Sequence, residues 1–188
     1  MLYPQKLNSK KSDIMIIIAI LISIAIGGIL ILINHFATPN IHWAGLANAG
    51  IIYIWITVLY AINHNTNIAG YVLLEATTIS LLTSYIDYKT GYRGWSMSLS
   101  IPIILIVANV TMFVLTIVSH KKYIRYAIYQ LIICILSLLP LYFALNNFIQ
   151  HKVMSFALTG ISAVNFIVTI CLCARDVKDD LIRKFHLG

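Results

Sequence analysis

Six times along its 188 residues the chain runs apolar for some twenty positions before a short polar interruption. At a rise of about 1.5 Å per residue, such a run spans about 30 Å, the thickness of a bilayer's hydrocarbon core. The spacing predicts spans over residues 14–35, 43–63, 67–87, 97–118, 124–145 and 153–174. In hydrocarbon every backbone N–H and C=O must be paired within its own segment, and these runs lack the alternation of barrel strands, so each reads as helix. The expected fold class is all-α: a polytopic membrane protein with six transmembrane helices in one bundle. A tail over 1–13 precedes it and an amphipathic tail over 175–188 follows. The connectors carry breakers, Ala37-Thr38-Pro39-Asn40 after the first span, Asn63 to Asn67 after the second, and Asn146-Asn147 after the fifth.

Charged residues make up 10% of the chain and hydrophobic ones 60%, against about 25% charged in an ordinary soluble domain. A net charge of +7 raises the question of nucleic acid, but the cations are scattered through short loops, which argues against it. The first apolar run is long and lacks a small-residue cleavage site, so it is expected to stay as a true span. Cys134, Cys171 and Cys173 fall in or beside apolar runs, and neither they nor the six histidines form a metal-ligand pattern. No metal or other cofactor is expected.

Lys and Arg divide unevenly between the two sides of this map. Ten of them (Lys6, Lys10, Lys11, Lys121, Lys122, Arg125, Arg175, Lys178, Arg183 and Lys184) fall on one side, and only Lys89, Arg93 and Lys152 on the other. The positive-inside rule then puts both termini in the cytoplasm and the chain in the cytoplasmic membrane.

Glu75 is the acidic residue placed deepest in a span, where a carboxylate costs about 2.5–3.5 kcal/mol on insertion scales unless it is paired or neutral. Tyr71 and Thr78 share its helix face, and Thr77, Ser80, Ser84 and Tyr88 form an adjoining stripe. Asn48, Asn109, Gln130 and Asn165 lie on four other spans and could complete a common interior polar layer. Two readings stand: hydrogen-bonding glue between helices, or the lining of a ligand or proton site. Pro102 and Pro140 are placed to kink spans four and five.

Between the third and fourth spans, Tyr92, Arg93 and Trp95 stand among two glycines and are candidates for contact with an anionic headgroup; the same residues suit an interfacial anchor. In the last segment, Val177, Leu181, Ile182 and Phe185 share one helical face, as an interfacial or partner-docking helix requires.

The string Ile86-Asp87-Tyr88-Lys89-Thr90-Gly91-Tyr92-Arg93-Gly94-Trp95-Ser96, with Pro102 and Ala108-Asn109 after it, resembles a family of small membrane proteins common among Firmicutes that has no assigned activity. Leu139-Pro140-Leu141 is similar to that family's fifth span, and Asp179 to His186 to its closing segment. Members often carry a short zinc ribbon ahead of a Tyr-Pro pair; this chain has Tyr3-Pro4 without the ribbon, so a ribbon's metal or partner role does not transfer. The resemblance implies a membrane location and no catalytic residue.

Three function classes compete. A non-enzymatic accessory or regulatory subunit would work through helix contacts with the bilayer, a membrane protein partner or a second copy, and small residues such as Gly27, Gly28, Gly45, Gly50, Gly70 and Gly160 permit close approach. A small-solute or lipid binding or transport component would need a polar cavity around Glu75, Asn109 and Gln130. It would resemble in size the substrate-binding subunits of energy-coupling vitamin transporters, although in span one only Ala19, Ser23 and Ala25 suggest their docking pattern. An intramembrane enzyme would need paired acid and base groups in one cavity, and a single glutamate does not supply them. The expected function is the first, non-enzymatic, with the second as its alternative.

Overall fold

A computed structural model describes residues 9–39, 41–63, 67–118, 123–149 and 152–185, and of residues 9–12, 123–125 and 172–185 it gives the backbone only. The described elements are helices α1 (Ser9–Ala37), α2 (Trp43–Asn63), α3 (Ile68–Lys89), α4 (Ile101–Val118), α5 (Tyr123–Leu136), α6 (Leu138–Leu145) and α7 (Val153–Phe185). A π-helical turn, Ser96–Ser100, leads directly into α4. Among the described residues, six stretches are long and apolar enough to cross a membrane: Asp13–Ala37, Trp43–Asn63, Ile68–Lys89, Ser96–Val118, Tyr126–Leu145 and Val153–Cys171.

The fourth and fifth of these stretches are not uniform helices, and each irregularity precedes a proline. Pro102 has no N–H for the Ser98 carbonyl, and before it the Ile101 N–H reaches back five residues to the Ser96 carbonyl. Pro140 likewise has no N–H for the Leu136 carbonyl, and the helix is interrupted at Ser137 between α5 and α6. The expected tail over 175–188 continues α7 without a break as far as Phe185. Its proposed apolar face lies among side chains outside the described residues, as do the Tyr3-Pro4 pair, His64, His120, His151, His186, Cys173 and all ten cations of the richer side.

The chain divides into two compact units, Met1–Leu59 and Tyr60–Gly188. In the first, α1 and α2 form a hairpin whose turn is organised by Asn34. The Asn34 Nδ2 donates to the Thr38 carbonyl at 2.7 Å, and its Oδ1 accepts the Ala44 N–H at 3.1 Å. Trp43 Nε1 closes the turn on Thr38 Oγ1 at 2.8 Å. Further along, Asn48 Nδ2 donates to the Gly27 carbonyl at 3.3 Å. That contact needs a bare Cα, because a Cβ on Gly27 would overlap the Asn48 amide.

In the second unit α4 is the central helix, packed against α3, α5 and α7. Its buried face supplies Ile101, Leu105, Ala108 and Met112, which meet Ala69 and Ala76 of α3, Tyr126 and Ile133 of α5, and Leu158 of α7. The outward positions are apolar as well, with Val107, Val110, Ile128, Ile135, Val164 and Ile167 all exposed. Buried Asn109, Gln130, Ser155, Ser162 and Asn165 lie inside this apolar coat. A water-soluble bundle shows the opposite distribution.

Gly27 gives a direct test of the hairpin. Gly27→Val should displace Asn48 and lower stability by about 1–3 kcal/mol, read as a reduced unfolding midpoint in detergent. Gly28→Val, where an added Cβ meets nothing within 4 Å, should leave the midpoint unchanged.

Candidate functional site

Three of the four amides singled out in the sequence converge around Asn109, at the centre of the second unit. Asn109 and Gln130 are fully buried and Asn165 is 5% exposed. Gln130 Nε2 donates to Asn109 Oδ1 at 3.1 Å, while Asn109 Nδ2 donates to Ser137 Oγ at 3.1 Å and to the Leu105 carbonyl at 2.9 Å. From α7, Asn165 Nδ2 donates to the Asn109 backbone carbonyl at 3.2 Å. Cys134 Sγ, 3.8 Å from Asn109 Oδ1 and 3.6 Å from the Ser162 carbonyl, fills the remaining gap. One asparagine thus ties α4 to α5, to the break at Ser137 and to α7. The Gln130 carbonyl and the Ser162 hydroxyl are buried without a hydrogen bond among the described residues.

The fourth amide, Asn48, makes its hydrogen bonds inside the first unit, to Gly27 and Ala44. Glu75 is half-buried on α3 and engages the Tyr71 hydroxyl one turn away. The Tyr60 ring lies 6.4 Å from that of Tyr71, and Asn67 both caps α3 through the Gly70 N–H and donates to Tyr129 Oη at 2.7 Å. The hydroxyls of Thr78 on that face and of Thr77, Ser80 and Ser84 in the adjoining stripe turn back on their own helix: Thr78 to the Leu74 carbonyl at 2.8 Å, Thr77 to Leu73 at 3.0 Å, Ser80 to Ala76 at 2.6 Å and Ser84 to Ser80 at 2.9 Å. Their polarity is spent within α3.

The segment between α3 and the π turn holds a carboxylate whose role the sequence reading missed. Asp87 is fully buried. Its Oδ1 accepts the Arg93 N–H at 3.0 Å, and its Oδ2 accepts the Ser96 N–H at 3.2 Å and the Ser96 hydroxyl at 2.8 Å. The Asp87 carbonyl accepts the Tyr92 N–H at 2.8 Å. The chain reverses through Gly91, Tyr92 and Gly94 at φ of 102°, 48° and 74°. Glycine enters that region freely, whereas tyrosine is held there at a cost of order 1 kcal/mol. The available signal was an acidic residue at the end of an apolar run, followed within ten positions by two glycines and a serine.

This turn forms one wall of a cavity of about 370 Å³. Tyr92, Arg93 and Trp95 line one side, and Phe143, Phe148 and Ile149 from the end of α6 and its following loop line the other. The sequence grouped the first three; the second wall, some fifty residues away, had no signal. Lys89 turns elsewhere, its Nζ 5.8 Å from the ring centroids of Tyr85 and Tyr88. Among the described residues no three His, Cys, Asp or Glu side chains are grouped to hold a metal ion. Asp87→Ala should leave three donors without their acceptor and cost about 1.5–3 kcal/mol, measurable as a lower unfolding midpoint in detergent. Lys89→Ala, at an exposed site, should change it little.

No curated protein and no solved structure matches the chain. A family of unknown function, DUF6320, matches residues 3–187. With nearly its whole length covered, the chain belongs to DUF6320.

Proposed function

We propose that the chain is a non-catalytic multi-pass protein of the bacterial cytoplasmic membrane, both termini inside, acting as an accessory or regulatory subunit of an envelope process. The observation that carries this reading is the fate of the polar side chains. Asn109, Gln130, Ser137 and Asn165 hydrogen-bond to one another or to nearby carbonyls, and the α3 hydroxyls to their own backbone. Groups consumed in this way hold helices together.

What remains for work is surface. The apolar outer faces of α1, α4, α5 and α7 suit lipid or the helices of a partner. The ten-to-three division of cations supports the orientation, with the turn at Asp87–Ser96 on the outer side. The Firmicutes resemblance supports the bacterial assignment.

The test is purification of the full chain at native expression in mild detergent or nanodiscs, with mass spectrometry of co-eluting proteins, lipids and small molecules. A stoichiometric protein partner that survives a change of detergent is the expected result. A tightly held water-soluble molecule, with no protein partner, would contradict the subunit reading and favour solute binding.

A further inference from the structure

We propose that the cavity between the Asp87–Ser96 turn and the α6–α7 loop is a binding site for a phosphate group joined to a short apolar moiety, the headgroup end of an anionic phospholipid. This rests on the multi-pass reading but not on the existence of a partner subunit.

The two walls differ in chemistry. Arg93 is exposed, and among the described residues its guanidinium has neither a hydrogen bond nor a carboxylate; only its backbone N–H is used, by Asp87. Asp87 cannot neutralise it cheaply, since both its carboxylate oxygens already accept from backbone or hydroxyl donors. A planar guanidinium left in this state beside a cavity matches the paired oxygens of a phosphate. Opposite it, Phe143, Phe148 and Ile149 offer no polar side chain and suit glycerol carbons and the root of an acyl chain. At about 370 Å³ the cavity stands near the lower end of the range of about 300–1,000 Å³ for ligand sites, so it takes a headgroup rather than a whole lipid.

The walls are also held in advance. Asp87 fixes the backbone on both sides of Gly94, so the point at which Arg93 leaves the chain is set before any ligand arrives. Among the described residues the two non-glycine positions with positive φ are Tyr92, which lines the cavity, and Asn147, next to Phe148 on the other wall. Lys152 holds Asn147 by a hydrogen bond to its Oδ1. Tyr92 thus keeps a costly backbone angle on the cavity wall itself, whereas Asn147, of a type that enters this region readily, turns the chain just before Phe148.

The experiment uses the purified full chain in detergent, titrated with phosphatidylglycerol or phosphatidylcholine and read by native mass spectrometry, with free glycerol phosphate as a competitor. Retention of phosphatidylglycerol about tenfold above phosphatidylcholine is expected, lost in Arg93→Gln and kept in Lys89→Gln. Competition by glycerol phosphate at matching concentration would keep the phosphate site and assign it to a water-soluble phosphoester. Equal retention of the two lipids would overturn the anionic headgroup, since phosphatidylcholine carries the same phosphate beside a cation, and an unchanged preference in Arg93→Gln would overturn the phosphate site, leaving only an aromatic interfacial anchor. Should Arg93→Gln fail to fold, a photoreactive phosphatidylglycerol on the wild-type chain decides: adducts within residues 91–98 or 143–149 support the site, and adducts confined elsewhere refute it.

Discussion

A polar side chain inside an apolar medium must find its partners within the protein, and in the second unit Asn109 meets that demand for three helices at once. Its side chain accepts from Gln130 and donates to Ser137, while its own backbone carbonyl accepts from Asn165. Such bonds are individually modest in a membrane setting, about 0.6 kcal/mol on average, because the separated helices also find partners. Their value here lies in register. Sliding α5 or α7 along α4 by one turn would strand several buried donors together, so this cluster fixes which turn faces which.

The same demand, met at the end of the unit by a charged group, produces a different result. Asp87 gathers the N–H groups of Arg93 and Ser96 and the Ser96 hydroxyl, and the cost of burying its charge is offset by those three donors. In doing so it folds the segment after α3 back on itself and presents Arg93 outward. The π turn at Ser96–Ser100, forced where Pro102 withholds an N–H, sets the direction in which α4 departs. Polar groups in the middle of the unit are therefore consumed by packing, whereas at its end one carboxylate leaves an arginine uncommitted.

How much of this was legible in the sequence follows from the range of each interaction. Helix positions depend on runs of apolar residues, a local property, and Trp43–Asn63 coincides with the span drawn from residues alone. Asn109, Gln130 and Asn165 stood out because amides are rare in such runs, which suggested a shared layer, but nothing local showed that Asn48 would bond to Gly27 instead. Glu75 drew attention as a lone carboxylate and pairs with Tyr71 on its own helix. Asp87 was passed over because its donors come from a reversal through Gly91, Tyr92 and Gly94, whose backbone angles no residue pattern specifies. The wall formed by Phe143, Phe148 and Ile149 depends on tertiary packing of distant segments and left no trace at all.

Interhelical coupling through Asn109 is the claim on which the rest depends, and a double-mutant cycle measures it directly. Asn109→Leu, Gln130→Leu and the double variant would be compared with the parent chain by reversible unfolding in mixed micelles. Coupling of about 0.5–2 kcal/mol is the result this account predicts, with the second substitution costing much less once the first is in place. Strictly additive costs would show that the two amides act independently and would contradict it.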